Sequence, residues 1–189
     1  MTKLQIKKKR RSFFLYLIAA ILFSVLGSVA GHVLGSKEKA ANTVPRVILP
    51  GAQTMNEEQL RALVVAKGLM VYWLGPRTGA TYVLNTSLVN GISLRTISDS
   101  ASSNTIQTYY EIGTFISPNA FTLTQKAATQ PNGVGFINAD GNAIYYDARD
   151  PNNVYIGLKN ADVQVEIFDP RPGQALAAAL LQGNIQKIS

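Results

Sequence analysis

Four carboxylates set in strand-like or turn-like surroundings, Glu111, Asp147, Glu166 and Asp169, are the residues of this chain that could do acid–base chemistry. Two of them brought about 5–10 Å apart would suit glycoside hydrolysis, one as general acid and the other as base or nucleophile. Their spacing in sequence gives no reason to pair any two, and ion pairing or solvation is the simpler account of each. Other chemistries are closed off more firmly. The chain contains no cysteine, which removes disulfides, thiolate nucleophiles and Cys-based zinc sites. Its one histidine, His32, lies in an apolar run near the N-terminus. The rest of the chain therefore cannot build a Ser-His-Asp triad or a His-ligated metal site.

Binding chemistry is better represented. The stretch "VYWLGPRTGATY", residues 71–82, contains the only tryptophan. Its "GPRTG" reads as a turn between two strands, Pro76 fixing φ early and Gly79 supplying a positive φ. The simple expectation is a hairpin whose aromatics enter the core. The functional one is a recognition loop in which Arg77 contacts an anionic group and Tyr72 or Trp73 offers a stacking surface. Tyr109, Tyr110, Tyr145, Tyr146 and Tyr155 lie in strand-like runs, where adjacent side chains point to opposite faces. Some must reach a surface, so Tyr109 and Tyr145 are read as parts of a partner or glycan site. "NADGNAIYYDARDPNN" gathers Asn138, Asp140, Asn142, Asp147, Asp150, Asn152 and Asn153, oxygens that calcium favours. It lacks the ordered ligand spacing and closing Glu of a calcium loop, and "DG" and "DPNN" are turn signals. No metal or other cofactor is expected.

Net charge is +7 over 189 residues. Lys3, Lys7, Lys8, Lys9, Arg10 and Arg11 supply six positive charges before any acid appears; from Ser36 onward twelve Lys and Arg face eleven Asp and Glu, leaving +1. The basicity belongs to a tail, whereas a nucleic-acid-binding domain concentrates it on a folded face. Residues 13–34, "FFLYLIAAILFSVLGSVAGHVL", carry no Lys, Arg, Asp or Glu. As a helix rising ~1.5 Å per residue they span the ~30 Å hydrocarbon core. The cations before this run place the tail in the cytoplasm and the rest of the chain outside the plasma membrane. The competing reading, a signal peptide cleaved after Ala30, exports the domain too, but the apolar run exceeds the roughly 7–15 residues of an h-region. Gly27, Gly31 and Gly35 recur every four residues, a row that allows helices to pack closely and a homodimer to form through the membrane helix.

These readings divide the chain into a cytoplasmic basic tail (1–12), a transmembrane helix (13–35), an extended linker (36–53) and an ectodomain (54–189). In the ectodomain a helix is expected from Thr54, with Thr54 and Glu57 as a capping box and Gly68 as its stop. Strand-like runs follow at 69–74, 81–87, 92–97 and 105–116. A short helix is expected after Ser117–Pro118, then strands at 133–138, 143–147, 153–158 and 162–168, and a last helix capped by Asp169 and ended near Gly183. The connections are too short for helical crossovers, so neighbouring strands should pair antiparallel. The expected fold is α+β, an antiparallel sheet with about three helices. The order helix-then-strands occurs twice, which raises two similar halves.

The "VYWLGPRTGATY" and "VQVEIFDPRPGQAL" segments and the Gly183 ending resemble membrane-anchored or secreted proteins of high-GC Gram-positive bacteria that carry a YWLGP-type segment. The resemblance spans residues 55–188 and implies no activity. In layout the chain is also similar to bitopic subunits of division and secretion machines. The expectation is a bilayer-anchored, non-catalytic envelope protein whose exported domain binds a protein partner or an envelope polymer, with no nucleic acid. The rivals are a carboxylate-dependent glycan hydrolase or transferase, and a small-ligand carrier or sensor.

Overall fold

The computed structural model describes residues 52–98 and 109–189. In chain order these form β1 (Ala52–Met55), α1 (Glu57–Ala66), β2 (Tyr72–Trp73), β3 (Ala80–Asn85), β4 (Gly91–Ser98), β5 (Tyr109–Ile116), α2 (Ala120–Ala127), β6 (Gly133–Ile137), β7 (Ala143–Asp147), β8 (Asp150–Gly157), β9 (Val163–Phe168), α3 (Gln174–Leu180) and β10 (Gln186–Lys187). Eight strands make one antiparallel sheet in the order β1-β3-β4-β5-β9-β8-β7-β6, and β2 pairs with β10 in a separate ribbon. The described residues are therefore α+β, as composition and pattern suggest. No helix among them is long and apolar enough to cross a membrane. The span read at 13–35, its Gly27, Gly31 and Gly35 row, and linker residues 36–51 lie outside the described residues; residues 52 and 53 begin β1.

Period-two alternation decides the two faces of the sheet. Leu84, Leu94, Ile112, Ile167 and Val154 face one another in a single cross-strand row from β3 to β8, and each is at most 1% exposed. Burying each such side chain contributes about 1.5–3 kcal/mol. Two apolar clusters cover this inner face. One joins Leu60 and Val64 of α1 to Trp73, Tyr82, Leu84 and Leu94; the other joins Ala175 and Ala179 of α3 to Ile144, Val154, Ile156, Val165 and Ile167. The β2–β10 ribbon belongs to the same layer, the Tyr72 backbone N–H donating to Thr114 Oγ1 of β5 at 3.0 Å.

The outer face carries α2, which crosses β8 and β6. A Cβ at Gly157 would lie 2.6 Å from the Ala120 carbonyl oxygen and 2.7 Å from Phe121 Cα, and one at Gly135 would lie 2.2 Å from Ala128 Cβ. Glycine at these points is what lets the helix backbone touch the sheet. The twofold order is real in sequence: α1 precedes β2–β5, α2 precedes β6–β9, and the two sets of strands meet where β5 pairs with β9. The packing does not repeat, because α1 lies on the inner face and α2 on the outer.

Local signals were misassigned where two patterns competed. The first helix takes Asn56 as N-cap, with a reciprocal capping box to Gln59, while Thr54 pairs with Val83 in β1. Thr54 and Glu57 have the box spacing, but strand pairing claims Thr54 first. The last helix starts at Gln174 after a left-handed Gly173, and Asp169 caps nothing. Its carboxylate instead accepts from Arg171 at 2.6 and 2.9 Å. The middle helix begins at Ala120 after a left-handed Asn119.

Candidate functional site

Residues that alternate with the core row point to the outer face, and where α2 does not reach they form a polar and aromatic array. Arg95 of β4, Glu111 of β5, Phe168 of β9 and Asn153 of β8 stand opposite one another in turn. In the next row Ser93, Gly113, Glu166, Tyr155 and Tyr145 do the same. Arg95 donates to Glu111 Oε2 from Nε at 3.1 Å and from Nη2 at 2.9 Å. Its guanidinium stacks on Tyr109, 4.7 Å from the ring centroid, and the Tyr109 ring sits 6.1 Å from that of Phe168. Further along, the Tyr145 and Tyr155 rings are 5.6 Å apart. A chain of ring, guanidinium and carboxylate thus crosses three strands, β4, β5 and β9, with the tyrosine pair on β8 and β7 beyond it.

Glu111 and Glu166 are brought together here. They occupy diagonal positions on neighbouring strands, because Glu111 faces Phe168 and Glu166 faces Gly113. Such side chains stand within about 8 Å of each other. Glu166 is 2% exposed, and among the described residues neither carboxyl oxygen has a hydrogen-bond partner. Burial pushes its pKa up to about 8, and the negative charge of Glu111 adds to the rise. The Tyr155 hydroxyl on β8 acts in the opposite direction but falls short of hydrogen-bond geometry. Burial and the charge of Glu166 in turn raise the pKa of Tyr155. The other two candidate acids are spoken for. Asp169 holds Arg171, and Asp147 holds Arg149, whose hydrogen bonds lower the Asp147 pKa to about 2.

Of the five residues singled out for binding, Tyr109 and Tyr145 share the outer face. Tyr72, Trp73 and Arg77 belong to the opposite layer. Trp73 is 1% exposed, under the Arg61 guanidinium at 4.6 Å and against Tyr82 at 5.9 Å, so it offers no stacking surface. The segment around it does not close a hairpin either, because β2 pairs with β10 and not with β3. Tyr72 is half-buried, and burial raises its pKa. Arg77 is exposed, its backbone N–H donating to Tyr82 Oη at 2.9 Å.

The Asn and Asp cluster is engaged in building turns. Asn138 Oδ1 accepts from the N–H groups of Asp140 and Asn142, and its Nδ2 donates to the Ala179 carbonyl at 3.0 Å. Asp140 accepts from the Gly183 N–H. Arg95 and Phe168 are members of the outer array that sequence reasoning missed. A single arginine in the middle of "ISLRTI" was the available signal, since an alternating strand places it opposite the core.

No protein-family model matches the chain, and comparison with curated proteins and with solved structures gives no match.

Proposed function

We propose that this chain is a single-pass plasma-membrane protein, held by residues 13–34, whose exported domain binds a cell-envelope polymer without turning it over. The observation that carries the reading is the outer-face array of Tyr109, Arg95, Glu111 and Phe168 with Tyr145 and Tyr155 beside it. Flat rings suit the apolar faces of sugars, and the partly exposed Arg95 guanidinium, held in place by the buried Glu111, supplies donors for hydroxyls. Strands lie about 4.8 Å apart, so the three steps from Tyr109 on β5 to Tyr145 on β7 cover roughly 14 Å, a length suited to an extended ligand. The domain's near-neutral charge fits a ligand that is not strongly ionic.

The test is co-sedimentation of the full-length protein, in membranes, with purified envelope glycan. Saturable binding that falls at least tenfold in Arg95→Gln and Tyr109→Ser is the expected result. Binding that both substitutions leave unchanged would remove this face from the account, and capture of a protein in place of glycan would move the reading to a protein partner.

The convergence of Glu111 and Glu166 favours a second reading, a glycan hydrolase using this carboxylate pair. A carboxyl kept protonated into the neutral range is what a general acid needs. Burial argues against it, because a group 2% exposed does not touch a sugar. Release of reducing ends by the native chain, abolished in Glu166→Gln, would establish the hydrolase in preference to the binding module.

A further inference from the structure

Every strand of the eight-stranded sheet runs antiparallel to its neighbour, so one end of the sheet gathers the starts of β1, β4, β7 and β9 and the finishes of β3, β5, β6 and β8. Seven large apolar side chains are exposed among the described residues, and five of them lie at this end. Val89, 87% exposed, tips the β3–β4 turn; Ile116, 63% exposed, ends β5 beside it, its N–H donating to the Asn90 carbonyl at 3.1 Å. Ile137 ends β6. Leu180 and Leu181 finish α3, which Asn138 and Asp140 of the β6–β7 turn hold through the Ala179 carbonyl and the Gly183 N–H. The other two, Val65 and Met70, flank the end of α1. The turns of the opposite end, at 75–79, 148–149 and 169–173, carry none of the seven; at or beside them stand Arg77 and the ion pairs Arg149–Asp147 and Arg171–Asp169. Single exposed apolar residues are ordinary on a protein surface. Their segregation to one end, with charge at the other, marks a contact surface.

We infer that this apolar end of the domain rests on the outer leaflet of the bilayer, the side chains of Val89, Ile116, Ile137, Leu180 and Leu181 entering the headgroup boundary. The inference rests on the reading of residues 13–34 as a membrane anchor. The chain enters the described domain at Ala52, the start of β1, and so at this same end, with residues 36–51 between it and the apolar run. From β4 to β6 the apolar tips spread over five strand spacings, roughly 24 Å. Separate tips over such a span suit a fluid surface that closes around each of them, and interfacial contact takes apolar groups about 5–10 Å into the headgroup boundary. Tyr109 begins β5 at the opposite end, so the outer-face array stays clear of the lipid.

The chain contains no cysteine, so single fluorophores can be attached at introduced ones: Leu22→Cys in the apolar run, Val89→Cys and Leu181→Cys at the apolar end, and Arg149→Cys, whose native side chain is 72% exposed, at the charged end. Each full-length protein is reconstituted in phosphatidylcholine vesicles, which carry no net charge, and quenching by nitroxide-labelled lipid is measured. Strong quenching is expected at 22, with quenching at 89 and 181 at least about twice that at 149. Adding Ile116→Glu and Ile137→Glu should bring 89 and 181 down to the level of 149. Quenching at 22 with 89 and 181 no more quenched than 149 overturns the docking and keeps the anchor. No quenching at 22 removes the anchor and the docking with it. Labels at 89 and 181 that are shielded from aqueous iodide yet not quenched by lipid would show a protein cover and overturn the inference.

Discussion

Replacing Glu166 with glutamine should change how stability depends on pH. In the folded chain this carboxyl titrates at about 8, against an ordinary 4.5. Between those values the folded state binds a proton that the unfolded chain has released. Stability is therefore highest below about pH 4.5, falls as pH rises through the interval, and levels off above about 8. Each pH unit corresponds to ~1.4 kcal/mol, which sets a ceiling of ~5 kcal/mol on the loss. Glutamine keeps the shape and does not titrate, so the slope over this interval should disappear. Its buried amide still lacks partners, at a cost of ~1–3 kcal/mol. The variant should thus exceed the native protein by about 2–4 kcal/mol at pH 9 and fall slightly below it at pH 5. Urea denaturation at half-unit pH intervals, read by Trp73 fluorescence, makes the measurement. His32 lies outside residues 52–189, so no imidazole in the domain obscures this window. A native profile that rises from pH 5 to 8, or a Glu166→Gln profile with the native slope, would refute the reasoning.

Three further substitutions test the packing. Trp73→Ala removes a side chain that is 1% exposed and should cost about 3–5 kcal/mol in a urea titration followed by circular dichroism. Gly157→Ala forces a Cβ to within 2.6 Å of the Ala120 carbonyl; since backbone must move, a loss of at least ~2 kcal/mol is expected, with faster amide exchange in α2 than elsewhere. Asn138→Ala deletes a buried side chain that makes three hydrogen bonds, two within the β6–β7 turn and one to Ala179 of α3, and a loss of about 2–3 kcal/mol should appear as a lower melting temperature.

What could be read in the sequence was local. The alternation of Val163, Val165 and Ile167 against Gln164, Glu166 and Phe168 placed the core face of β9 correctly, and "DG" at 140–141 gave the β6–β7 turn, where Gly141 has φ +79°. Spacing could not show that β5 and β9 are neighbours, because their pairing joins segments separated by a helix and three strands. For that reason Glu111 and Glu166 looked unrelated, although both lie on strands whose polar face was legible. Trp73 was read two ways for the same cause: core burial, the simple expectation, is what the structure shows, but the pairing of its strand with β10, more than a hundred residues later, could not be seen in the segment. Arg77 was marked for anion contact from its place in the "GPRTG" turn, whereas its stacking on the Tyr110 ring belongs to tertiary structure.

The central claim is that the outer face around Tyr109 holds the envelope polymer. The most direct measurement places a photo-crosslinking amino acid at position 109 of the full-length protein in intact membranes, and at Val65, 63% exposed on α1, as the control. The account predicts glycan attached at 109 and none at 65. Equal labelling at both positions, or labelling at 65 alone, would contradict it.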